Sequence, residues 1–189
     1  MNFEQYYSLF DEIQANKMSP YDTPSFLELA KLNQARTKRW LKLGEINKEL
    51  KDLITIISEK QNWLVISEHW CGDSANILPF IYKLSQLNPL INLTIQLRDS
   101  NSEIDSYLTN GKKSIPVFVV RDEFNNDILL GSSRPIKCQS YFENLKLEIE
   151  DADERKRMVQ VWYNEDKGKS FQEDLLTLFK SDLNHIIIH

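Results

Sequence analysis

Residues 63–97 constrain the fold more than any other stretch. Trp63-Leu64-Val65-Ile66 is a short, continuous apolar run, the mark of a strand buried on both faces. Cys71 to Gln86 follows, with Ile77, Phe80, Ile81 and Leu84 on one helical face. Ile91, Leu93, Ile95 and Leu97 then alternate at period two, which predicts a second strand. A full helix between two strands is a crossover, so those strands should run parallel in one sheet. The chain is therefore expected to be α/β, with residues 67–72 at the point where a buried strand feeds a helix.

The flanking segments complete the pattern. Val117-Phe118-Val119-Val120 predicts a third strand, Asn125-Asn126-Asp127 a turn, and Ile128-Leu129-Leu130 the returning strand of an antiparallel hairpin. Phe3, Tyr6, Tyr7, Phe10 and Ile13 recur at helical spacing over 2–15. Thr23-Pro24 starts a helix that runs to about Leu43, where Gly44 stops it. Ile46, Leu50, Leu53, Ile54 and Ile57 mark a third helix, and Glu103 to Leu108 a short one. Residues 137–164 read as one or two long helices, and Phe171 to Leu183 as the last. The expected organisation is a helical extension over 1–44, a core over 45–150 and a second helical extension over 151–189.

Composition narrows the function. Only 5 Gly and 6 Pro interrupt 189 residues, which favours long helices and few loops. Lys+Arg number 23 and Asp+Glu 28, a net charge of −5. Phosphate binding is built on excess Lys and Arg, so nucleic acid is not the expected partner. The 2 cysteines cannot supply a structural zinc site or a disulfide framework, and His69, His185 and His189 show no metal-ligand spacing, so no metal is expected. No apolar stretch approaches the roughly 20 residues needed to span a bilayer, and MNFEQYYSLF lacks the basic start of a signal peptide. A cytoplasmic, reducing setting without membrane association is expected, where a free thiol is either inert core or reactive.

Chemistry concentrates in Trp70-Cys71-Gly72-Asp73-Ser74. A cysteine at a helix N-terminus faces unpaired backbone N–H groups and the positive end of the helix dipole. Both favour the thiolate, which is the nucleophile. Trp70 would shield one side of the sulfur, and Gly72 would let another chain approach. Asp73 suits a first helical turn but opposes the thiolate by like-charge repulsion. His69 could pair with the thiolate or lie on the surface at a strand end. Cys138 reads as a small buried residue of a core helix, with a resolving role as the alternative. Arg36, Lys38, Arg39 and Lys42 form a basic cluster; Arg36 and Arg39 share a helix face, where pairing with acids of the core is expected over an anion site.

These residues resemble the thioredoxin-like superfamily over about 45–150. Trp70-Cys71-Gly72 matches the W-C-G entry to the redox helix, and Pro79 the proline that kinks it. Ile115-Pro116 matches the cis-proline loop that lies against the active sulfur, and Gly131 the glycine of a third loop around the site. The helical segment Leu32 to Trp40, with Gly131-Ser132-Ser133-Arg134-Pro135, looks like a bacterial thioredoxin-like subfamily in which helices replace the usual first strand. The resemblance implies a thioredoxin-like fold, a central mixed β-sheet flanked by helices. It implies that Cys71 is the exposed attacking thiol. It also implies a cis Ile115–Pro116 bond beside which an incoming chain pairs. Arg134, after Gly131, would then flank Cys71, either binding a carboxylate such as one of glutathione or making a surface salt bridge.

Two departures define the expected chemistry. Ser74 stands where thioredoxin has its resolving cysteine, and Val65 where it has a buried Asp. An intramotif disulfide cannot form. What remains is a monothiol site of the CxxS kind. Cys71 would attack a protein disulfide or a glutathionylated protein, Ser74 would donate a hydrogen bond to the thiolate, and an external small thiol, glutathione or another, would release the product as co-substrate. No other cofactor is implied. The alternative is a non-catalytic binding module whose same groove holds a peptide or protein partner.

Overall fold

The computed structural model describes residues 1–16 and 19–186, with side chains up to residue 181. The side chains of Leu183 and His185, and His189 as a whole, lie outside the described residues. The order is α1 (Phe3–Asn16), α2 (Pro24–Leu43), α3 (Lys48–Thr55), β1 (Gln61–Ser67), α4 (Gly72–Ser85), β2 (Ile91–Leu97), a 3-10 turn (Ile104–Ser106), β3 (Val117–Arg121), β4 (Asp127–Gly131), α5 (Ile136–Glu148), α6 (Ala152–Asp166) and α7 (Lys169–Ile186). The short helix read over 103–108 is thus a single 3-10 turn. Residues 137–164 form two helices, with Asp151 accepting the Asp153 amide at 2.8 Å to start the second.

The sheet order is β2-β1-β3-β4. β1 and β2 are parallel, and β1/β3 and β3/β4 are antiparallel. The parallel pair follows from the α4 crossover, so the α/β thioredoxin-like architecture stands: a mixed sheet flanked by helices.

β1 is buried on both faces, and each face has its own apolar cluster. Trp63 and Val65 join Phe118, Val120, the apolar side of α4, and residues of α1, α2, α3 and α7. Leu64 and Ile66 face the other way, onto Val117, Val119, Ile104, Ile115 and Cys71. The period-two alternation of a strand separates the two sets. Fully burying one such side chain is worth roughly 1.5–3 kcal/mol, so the four buried apolar residues Trp63 to Ile66 anchor the fold.

Gly44 ends α2 for a reason of space. Its φ is −67, an ordinary value, but a Cβ there would sit 2.6 Å from the Trp40 carbonyl oxygen and 2.9 Å from the Phe80 ring. No helix among the described residues is long and apolar enough to cross a membrane. Nor do the described residues bring together a cluster of His, Cys, Asp and Glu able to hold a metal ion.

Candidate functional site

Cys71 is the N-cap of α4. β1 ends at Ser67, and the turn that follows is closed by the Cys71 amide donating to the Glu68 carbonyl at 3.0 Å. The Ser74 amide points at Cys71 Sγ from 3.5 Å, and the thiol donates to the Ile115 carbonyl at 3.4 Å. The sulfur therefore lies between the first turn of a helix and the Ile115-Pro116 loop, whose peptide bond is cis.

The sulfur is not the exposed thiol that the resemblance implied. Cys71 is 6 % exposed. Burial pushes its thiol up to about 11, the negative charge of Asp73 adds to that, and the amides of Ser74 and Asp73 pull the other way. The apolar neighbours Ile66, Ile104 and Ile115 outweigh the helix terminus. Ser74 is buried beneath the sulfur, near enough for its hydroxyl to favour the thiolate, yet its Oγ has no hydrogen-bond partner in this geometry. A buried hydroxyl without a partner is uncommon, since leaving one unsatisfied costs about 1–3 kcal/mol.

Trp70, Cys71, Gly72, Asp73, Ile115, Gly131 and Arg134 all line one groove of about 1690 Å³. Ser74 and Pro116 are buried behind its wall. Small-molecule pockets span roughly 300–1,000 Å³, so this groove has room for an extended segment of chain. Along its walls Lys and Arg outnumber Asp and Glu, opposite in sign to the chain as a whole. Trp70 packs edge-on against Phe26, and the Arg98 guanidinium lies over its ring at 4.7 Å. Gly131 is confined by Phe118, whose Cδ1 would be 3.3 Å from an added Cβ.

Arg134 is neither free for a carboxylate ligand nor in a surface salt bridge. Its Nε and Nη2 grip Asp73 Oδ1 and Oδ2 at 3.0 and 2.7 Å, with both side chains less than 20 % exposed. The Tyr163 hydroxyl donates to Asp73 Oδ1 at 2.7 Å. Sequence separation hid this triad, since α6 and the loop after β4 reach Asp73 only through the fold.

His69 is corrected as well. It is 1 % exposed, stacked on Tyr6 at 4.2 Å, with Nε2 2.9 Å from the Tyr6 carbonyl oxygen. Burial lowers its pKa to about 4. It is a neutral core residue under α1, neither a surface group nor the thiolate's partner. Cys138 packs in the Trp63 cluster and not in the one that holds Cys71, and burial pushes its thiol up to about 12.

The basic cluster of α2 makes no ion pairs among the described residues. Arg39 donates to Asn164 at 2.8 Å and covers Trp40, while Arg36 donates to Asn33. Sequence reasoning also missed Glu68. This carboxylate is buried three residues before Cys71, accepts the Asp99 amide at 3.0 Å, and is held above its ordinary pKa by burial.

Comparison with known proteins bears on the fold and the family. No curated protein matches the sequence. A crystal structure of a protein of unknown function from Pseudomonas aeruginosa aligns over 96% of this chain and 98% of its own, at 16% identity and a TM-score of 0.56. An HIV epitope-scaffold aligns over 100% and 99%, also at 16% identity, with a TM-score of 0.52. At that identity the likeness is one of fold. The Thioredoxin_9 family model, described as thioredoxin, matches residues 21–157, most of the chain including α2, the Cys71 turn and the Ile115-Pro116 loop. The chain belongs to this thioredoxin family.

Proposed function

We propose that the protein carries out monothiol thiol-disulfide exchange at Cys71 on a substrate held in the groove. The observation that carries this reading is the position of Sγ, between the Ser74 amide and the Ile115 carbonyl on the inner wall of the groove. A substrate lying against Ile115 displaces the thiol from its carbonyl partner. The Cys71 proton leaves to solvent, and the thiolate attacks one sulfur of the substrate disulfide. The Cys71–substrate S–S bond forms as the substrate's own S–S bond breaks, and the departing sulfur carries away the electron pair and takes up a proton. With Ser74 in the fourth position of the motif and Cys138 fully buried in the other apolar cluster, a small external thiol must attack next. It regenerates Cys71 and leaves with the substrate sulfur as a new disulfide.

The second reading, a binding groove without turnover, is favoured by one observation: the resting thiol is buried and raised to about 11. At neutral pH such a thiol is almost wholly protonated. Turnover separates the two. With a protein–small-thiol mixed disulfide as substrate and excess small thiol, exchange predicts reduction that Cys71→Ser abolishes and Cys138→Ser retains. Reduction of insulin without an external thiol should be absent. Binding of the substrate with no Cys71-dependent turnover would leave the binding reading standing.

A further inference from the structure

Among the arginines that line the groove, Arg98, Arg134 and Arg157 each grip a carboxylate of this chain: Asp99, Asp73 and Glu154. Arg36 does not. Its hydrogen bond, among the described residues, runs from Nη1 to Asn33 Oδ1 at 2.8 Å. Asn33 is fully buried, and its own Nδ2 donates to the His69 carbonyl at 2.9 Å. The guanidinium is thereby tied to the same turn that carries Cys71. It sits directly over Gly72, where a Cβ would be 3.6 Å from Nη1.

An arginine presents five N–H donors in a rigid fork suited to a carboxylate. Arg36 lines the groove and uses one fork nitrogen on a neutral amide, its others making no hydrogen bond among the described residues. Its partial burial strips water from the charge and lowers its pKa, a cost that a bound anion would reverse. We propose that Arg36 is the carboxylate-binding residue of the exchange site, and that the substrate carries a carboxylate close to its reacting sulfur. This rests on the exchange reading above. The carboxylate could belong to a small thiol of the glutathione type or to an acidic residue beside a protein cysteine. Both present the same group to the same fork.

The test uses two pairs of disulfide probes on the full chain, reading the rate of mixed-disulfide formation at Cys71 by mass spectrometry. One pair is oxidised glutathione and its ethyl ester. The other is the disulfide of a short cysteine peptide with Glu beside the cysteine, and its Gln counterpart. A charge-assisted bond to Arg36 should make the acidic member of at least one pair faster by about tenfold. Arg36→Gln should erase that preference, bringing the ratio of acidic to neutral rates to about one whatever happens to the rates themselves, and urea unfolding shows that the variant is folded. Preference confined to the first pair identifies a small thiol as the source, and to the second a protein. Equal rates within both pairs, or a preference that survives Arg36→Gln, overturn the assignment of Arg36 alone. No adduct at Cys71 with any probe overturns the exchange reading, and this proposal with it.

Discussion

Arg134 and Asp73 form a two-pronged ion pair across the first turn of α4, at 3.0 and 2.7 Å, one residue from the Cys71–Gly72 peptide. The pair both locks the helix start and sets the charge beside the sulfur. Asp73→Asn removes the negative charge that helps hold the Cys71 thiol up. The thiol should then titrate below about 11, and alkylation at a fixed pH should be faster. The same change leaves the largely buried Arg134 guanidinium without its counter-charge, at about 2 kcal/mol of stability. Arg134→Gln leaves Asp73 without its counter-charge and should move the thiol the other way. Alkylation rate against pH and urea unfolding of both variants check this.

His69 should make the fold sensitive to acid. Its folded pKa is about 4 against an ordinary 6.5, so between those values the unfolded chain binds a proton that the folded one refuses. The stability it confers is full above pH 6.5 and is lost as pH falls through 4. A gap of that width corresponds to about 3 kcal/mol. Urea unfolding from pH 7 to pH 4 should show the decline, and His69→Gln should flatten it.

The legibility of this fold followed the range of the interactions. β1, α4 and β2 could be read because a buried run, an amphipathic face and an alternation each sit within a dozen residues. Cys71 could be placed at a helix start for the same reason. The environment of that start could not. Burial of the sulfur comes from Ile104 and Ile115, far along the chain. His69 is buried because the aromatic stripe of α1 folds over it, and periodicity shows that stripe as amphipathic without naming what it covers. Arg134 finds its acid 61 residues away, and Arg36 finds none among the described residues. Side-chain partners of that kind carry no local pattern.

Packing around Phe80 gives a stability prediction independent of chemistry. Gly168, between α6 and α7, has φ +78, and a Cβ there would lie 2.3 Å from Phe80 Cζ. Gly168→Ala combines a strained backbone with overpacking and should cost about 2–4 kcal/mol. Phe80→Leu should relieve part of that cost, so the double variant should be more stable than the sum of the single changes implies. Urea midpoints of the three variants and the parent measure the coupling. Additivity would mean that Phe80 is not what confines Gly168.

Exchange requires Cys71 to act as a nucleophile despite its burial, and site mapping of a mixed disulfide reads this at the sulfur itself. The folded chain is treated with a disulfide at pH 8, quenched with acid, and mapped by tandem mass spectrometry. Exchange at Cys71 predicts a single adduct, on Cys71, absent in Cys71→Ser, unchanged in Cys138→Ser, and released by added small thiol. An unmodified Cys71, or adducts divided equally between Cys71 and Cys138, would contradict it.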